Sequence, residues 1–216
     1  MSSYIIEAIQ TGILETIQMT LTASVLAYAV GLLWGILLYA TAKGRILEHR
    51  TAQLFLGFAA NVGRSLPFLI LLVVLIPFTR FVTGASIGTT ASIVPLTIGT
   101  IPIVARLVEV SLSEVPAGIV EAAVSMGASP VHIILHFILP EAAPSLLLGA
   151  AVSVATVLGY SAMAGVIGGG GIGTIAIQYG YYRYQEDVLW TSVGILILMV
   201  MVIQEGGNAL AGRLRK

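Results

Sequence analysis

Between Glu15 and Lys43 the chain reads TIQMTLTASVLAYAVGLLWGILLYATA, residues 16–42, without a single charge. About 20 apolar residues carry a helix across the hydrocarbon core, so this stretch is a membrane span, and the fold follows from finding its companions. The run LILLVVLI at 69–76 lies between Arg64 and Arg80 and is too short alone. It extends back through LFLGF at 54–58, giving a second span that carries Arg64 inside it or near its edge. Residues 81–105, holding Pro95 and Pro102, form a third. Residues 142–182 are again uncharged; their front part, 145–167, is the fourth span, and 188–203 is the fifth. The expected fold class is therefore an all-α integral membrane protein with five transmembrane helices.

Composition agrees. Of 216 residues 57% are apolar and 9% charged, against roughly 25% charged in a soluble domain. Ten basic residues balance ten acidic ones, which argues against nucleic acid as a partner held by bulk charge. There is no cysteine, so disulfides, thiol catalysis and thiolate-bound metals are excluded. The N-terminal sequence through Glu7 has no basic segment before its apolar residues and does not read as a signal peptide.

Five spans put the termini on opposite sides. With the N-terminus outside, inner segments hold Lys43, Arg45, Arg50, Arg106, Arg213, Arg215 and Lys216, and outer ones only Arg80 and Arg183. The positive-inside rule selects that orientation, with the C-terminus in the cytoplasm and residues 106–145 as a cytoplasmic insertion. Arg64 stands apart. A charge inside a span costs about 2.5 to 3.5 kcal/mol at the centre on insertion scales, so it either snorkels to the inner surface or takes a pore-lining or interhelical role.

The insertion contains EVPAGIVEAAVSMGASPVHIILHFILP at 114–140. Pro116 suits the first turn of a helix and Gly127 the residue just past its end. Ser129 and Pro130 repeat the start signal as N-cap and first residue, and Pro140 is expected to break or kink the second helix. On the first helix Ile119, Ala123 and Met126 share one face, Glu121 and Ser125 another. Such a helix either lies on the membrane or docks a cytoplasmic partner, and small Ala122 and Ala123 permit close approach.

Glu121-Ala122-Ala123, Gly127 and Leu139-Pro140 at these intervals resemble the EAA loop of ABC-importer permeases, with Phe137 and then Ile138 where that pattern usually has isoleucine first. In that family the loop is a coupling helix seated in a cleft of an ATPase subunit. RSLPFLILL at 64–72, IPFTR at 76–80, SIG at 86–88, IVPL at 93–96 and GYSAM at 159–163 resemble, more specifically, the permeases of methionine ABC importers. The resemblance implies a type I permease fold acting as a homodimer around a central pathway, in one transmembrane domain over residues 1–216. It also implies two copies of a separate ATP-binding cassette ATPase that hold ATP and Mg, an extracytoplasmic methionine-binding protein, and the bacterial inner membrane. An importer for another small amino acid would keep the same loop and change the pore lining.

The residues support a transport role from another side. No G-x-x-x-x-G-K-[ST] loop is present, so this chain does not hold nucleotide phosphates in that manner. The first, third and fourth spans lack the ionisable residues that gradient-driven carriers keep at mid-membrane, which counts against an ion-coupled carrier. No His, Asp or Glu constellation suggests an enzyme. Five helices hardly enclose a path for an amino acid, and a two-fold dimer is the expected solution.

Four further features carry expectations. GGGGIG at 168–173 formally fits G-x-G-x-x-G through Gly168, Gly170 and Gly173, but it follows a membrane span where a βαβ unit is required; a flexible or tightly turning outer loop is expected. His132 and His136, four apart, have only Glu141 nearby as a third metal ligand, and no metal is expected. Arg106 and Glu109, three apart, can pair on one helix and steady the base of the insertion. Tyr160, Ser161 and Met163 lie late in the fourth span, where they either pack or line the pathway, with paired Met163 side chains closing an outer gate.

Overall fold

A computed structural model describes residues 3–214, and every regular element in it is helical. Arg215 and Lys216, used in the orientation argument, lie outside the described residues. The first helix, α1, spans Ser3–Thr41. Arg50–Ser65 is α2, Phe68–Val74 α3, Ile76–Thr83 α4 and Thr89–Ser113 α5. Within the insertion, α6 is Ala117–Ser125 and α7 Pro130–Ile133, followed by a π-helical turn at Ile134–Ile138. Leu139–Ala164 is α8, Gly171–Ile175 is α9 with a second π turn at Ala176–Tyr181, and α10 is Glu186–Leu214.

Among the described residues four helical stretches are long and apolar enough to cross a membrane, and five when the broken pair α2 and α3 counts as one span. Two expected spans change shape. The second is not continuous: α2 stops at Ser65, and Pro67 precedes α3 in extended geometry (φ −59°, ψ 127°). Proline has no N–H for the ladder and its ring pushes the preceding residue out of the helical region. The third starts later than expected, at Thr89, because Gly84 ends α4 in the left-handed region (φ 77°), so residues 81–83 belong to α4.

Pro140 does not end a helix. The Leu139 N–H reaches back five residues to the Ile134 carbonyl, and this wider turn just before the proline relieves the crowding its ring creates one turn earlier. The helix then runs on through Pro144.

The chain forms two compact units, each assembled from separated segments. One comprises the residues up to Ala27 with Leu66–Thr100 and Ser153–Gln204; the other comprises Tyr28–Ser65, Ile101–Val152 and the residues from Glu205 onward. In the first, Met19, Ala23, Phe68, Leu72, Leu96, Val157 and Ala164 make one apolar cluster, and Ile9, Ile172, Ile175 and Val188 another. In the second, Leu38, Ala60 and Ala105 pack with Trp34 and Leu56 at their margin. The remaining apolar surface faces outward, as expected of helices bathed in lipid.

Candidate functional site: the coupling loop and the glycine turn

The insertion keeps the punctuation read from its sequence, with one shift. Pro116 sits at the N-cap of α6 instead of inside its first turn. At the other end Met126 is the C-cap and Gly127 adopts φ 76°. The Gly127 N–H donates to the Val124 carbonyl at 2.9 Å and the Ala128 N–H to the Ala123 carbonyl at 3.1 Å, the paired bonds of a Schellman cap. Ser129 then caps α7, its hydroxyl accepting the His132 N–H. The two helices therefore follow one another through a fixed corner.

What this corner presents to solvent is specific. Ala123 is buried, while Glu121 and Ala122 are exposed. Ile119 is half-buried and Met126 is 70% exposed, so the three apolar residues expected on one face divide, with only Ala123 fully inside. The Ser125 hydroxyl is spent on the Glu121 carbonyl at 2.9 Å, leaving the Glu121 carboxylate free to project. Val124, Met126, Val131 and Leu135 add exposed apolar area around it. Leu139 is half-buried and Pro140 exposed. His132 and His136 stack, centroids 4.1 Å apart, and no third potential ligand joins them among the described residues.

Behind the loop, Arg106 does more than pair along its helix. Nη1 donates to Glu109 at 2.6 Å, as the spacing suggests, and Nη2 donates to both the Gly57 carbonyl and Asn61 Oδ1 at 2.9 Å. Neither Gly57 nor Asn61 is marked by any sequence signal beyond its place on a helix. Arg64 is exposed and lines a groove of about 680 Å³ with Asn61, Arg106, Glu109 and Glu114. It lies in the unit that also holds Lys43, Arg45, Arg50 and Arg106.

The residues expected along a pathway fare differently from one another. Tyr160 stacks on Phe68 with centroids 4.1 Å apart and planes 4° from parallel. Ser161 is 1% exposed and its hydroxyl donates to the Leu158 carbonyl at 2.7 Å. Met163 is 40% exposed and is the member of the group free to meet something else.

The glycine run is not a loose loop. Gly169, Gly171 and Gly173 are buried, and Gly168, Gly170 and Gly171 have φ between 73° and 86°, a region glycine enters without steric cost. The Gly168 carbonyl accepts from Gly88 N–H at 3.1 Å and the Gly169 carbonyl from the Ser92 hydroxyl at 3.1 Å. The Gly171 N–H donates to Glu15 Oε2 at 2.6 Å and the Ile172 N–H to Thr16 Oγ1 at 2.9 Å. Glu15 and Thr16 are not among the candidate site residues read from the sequence, where they mark only the entry to a charge-free span.

The family model described as binding-protein-dependent transport system inner membrane component matches residues 31–204. The chain belongs to that family. It is a multi-pass component of the inner membrane. Relatives include the probable D-methionine transport system permease protein MetI of Vibrio cholerae, 47% identical over 203 residues that make up 94% of this chain and 90% of that one. The corresponding Pasteurella multocida protein is 46% identical over 99% of this chain and 98% of its own. A solved structure described as an inward-facing conformation of the MetNI methionine ABC transporter superposes with a TM-score of 0.97 at 41% identity, covering 99% of both chains. An amino acid ABC transporter structure at 21% identity shares the fold, with a TM-score of 0.78 over 96% of this chain and 94% of that one. The all-helical permease fold expected from the sequence is the fold of the MetNI structure, with four or five candidate spans in this chain.

Proposed function

We propose that this chain is the membrane-spanning permease of an ATP-driven methionine importer, acting as a homodimer with one transmembrane domain per subunit. The observation that carries the reading is the Schellman-capped helix α6, which holds Glu121 and Ala122 outward on a rigid corner in a chain whose relatives at 46 to 47% identity are named for D-methionine transport. Glu121, Ala122, Ala123 and Gly127, with Leu139 and Pro140 behind them, form the coupling element for each of two separate ATPase subunits. ATP and Mg belong to those subunits. An extracytoplasmic binding protein delivers methionine, and the pathway runs past Tyr160 and Met163 toward the inner side.

The orientation places the N-terminus outside and the C-terminus in the cytoplasm. Among the described residues Lys43, Arg45, Arg50, Arg106 and Arg213 fall in the inner segments against Arg80 and Arg183 in the outer ones, and the positive-inside rule supports this orientation.

The test is uptake. Proteoliposomes carrying the permease with its ATPase are expected to accumulate labelled methionine only with ATP inside the cytoplasmic face and binding protein on the other. A hundredfold excess of an unrelated small amino acid should leave uptake unchanged. Uptake driven by an ion gradient without the ATPase would overturn the reading.

A further inference from the structure

We propose that Glu15 is a positioning residue for the outer gate, acting as an acceptor that clamps the helical segment 171–181 against the end of α8. The inference rests on the reading of Met163 as a gate residue and assigns what holds that gate in place.

The geometry has three links. First, the Glu15 carboxylate and the Thr16 hydroxyl, adjacent on α1, accept two successive backbone N–H groups, those of Gly171 and Ile172. These belong to the opening turn of α9, where N–H groups have no partner within the helix. Thr16 in turn donates to the Gly12 carbonyl at 2.8 Å, so its lone pairs are aimed at Ile172. Second, the turn leading into α9 is held by Ser92 of α5 and by Gly88 just before that helix, and side-chain space at Gly170 is absent: a Cβ there would come 2.6 Å from Thr89 Oγ1 and 3.1 Å from Glu15 Oε2. Third, the clamped segment lies on the gate residues. A Cβ at Gly173 would come 2.6 Å from the Ala162 Cα, and one at Gly165 would come 2.8 Å from the Gly173 Cα, so the two backbones touch on either side of Met163.

Backbone-to-backbone contact transmits position without slack, since there is no side chain to change rotamer. The position of Met163 is therefore fixed by α9, and α9 is fixed by Glu15. An amide at position 15 can still accept the Gly171 N–H through its oxygen; a methyl group cannot, and it leaves a buried donor unpaired. The property that matters is the acceptor at this place and not the charge.

The experiment uses the complete transporter in proteoliposomes and reads two quantities, methionine transported per ATP hydrolysed and the cross-subunit disulfide of Met163→Cys in the cysteine-free chain. With Glu15 intact the disulfide forms. Glu15→Ala is expected to lower transport per ATP about tenfold and the disulfide yield at least fivefold, and Glu15→Gln to restore both to within twofold of the parent. Both quantities are normalised to folded, ATPase-bound transporter, so poor expression alone changes neither. Parental values in Glu15→Ala, or a Glu15→Gln variant as impaired as the alanine one, would overturn the proposal. Absence of the disulfide with Glu15 intact would instead overturn the gate reading and, with it, the gate role assigned to Glu15.

Discussion

Arg106 of α5 and Asn61 of α2 are joined side chain to side chain, Nη2 donating to Oδ1 at 2.9 Å, while the same guanidinium holds Glu109 and the Gly57 carbonyl. Guanidinium offers five donors in a fixed plane, and three of the bonds here use that fork. Arg106→Ala should cost about 1 to 3 kcal/mol, the range for hydrogen bonds to a charged group and for the partners left behind. Arg106→Lys keeps the charge but cannot span both helices, and should recover less than half of the loss. Thermal unfolding of the purified permease in detergent measures both; equal stability of all three would show that the fork contributes nothing.

A second prediction concerns close packing. A Cβ at Gly35 would lie 2.6 Å from the Ala105 carbonyl oxygen and 2.7 Å from Val108 Cγ1, so α1 and α5 meet there at backbone distance, as small residues allow in membranes. Gly35→Ala should force the helices apart and destabilise by about 1 to 3 kcal/mol, the usual cost of overpacking. Gly194→Ala on α10, where nothing lies within 4 Å, should be neutral or stabilising by up to about 1 kcal/mol through helix propensity. Comparable losses at both positions would contradict the packing argument.

How much of this was legible beforehand depends on the range of each interaction. The spans followed from charge-free runs, and the corner at Gly127 from Pro116, Gly127, Ser129 and Pro130, because capping is decided within a few residues. The break at Pro67 had its residue in plain view, yet an apolar run either side of it reads as one span until backbone direction is known. Pro140 does not break the helix, the first of the two outcomes expected of it; a π turn lies immediately upstream. Glu15 and Gly171 are 156 positions apart; no periodicity links them, and the glycine run looked like a loop because the helix that clamps it lies at the other end of the chain.

Gly127 supplies a test of the coupling corner. Its φ of 76° is unfavourable for any side chain, while nothing lies within 4 Å of a Cβ placed there, so a substitution acts through the backbone alone. A β-branched residue should cost about 1 to 2 kcal/mol locally and swing α7 away from α6, whereas asparagine, which tolerates the left-handed region, should do much less. Combined with Glu121→Lys, Gly127→Val should abolish co-purification of the ATPase and ATP-driven uptake while leaving the permease folded. Gly127→Asn should retain most of both. Undiminished ATPase association in the double variant would remove the docking role from this loop.

Orientation can be checked on the same cysteine-free background. Ser3→Cys should react with a membrane-impermeant maleimide added to intact cells, and Lys43→Cys only after permeabilisation. The reverse pattern would invert the topology and put α6 on the wrong side for an ATPase.

Met163 is the residue through which the gate itself can be tested against nucleotide state. A disulfide requires Cα atoms within about 7 Å, so Met163→Cys reports whether two copies meet there. If that meeting closes the outer end of the pathway, a non-hydrolysable ATP analogue on the partner ATPases should lower the cross-link yield, because nucleotide favours whichever permease state it binds more tightly. The shift needs a differential affinity of only about 1.4 kcal/mol to change the ratio of states tenfold, well within what an ATPase pair can supply. A yield that ignores nucleotide, measured in transporter shown to bind it, would return Met163 to simple packing. The partial exposure of its side chain would then be covered by the second subunit or by lipid, without any change during transport.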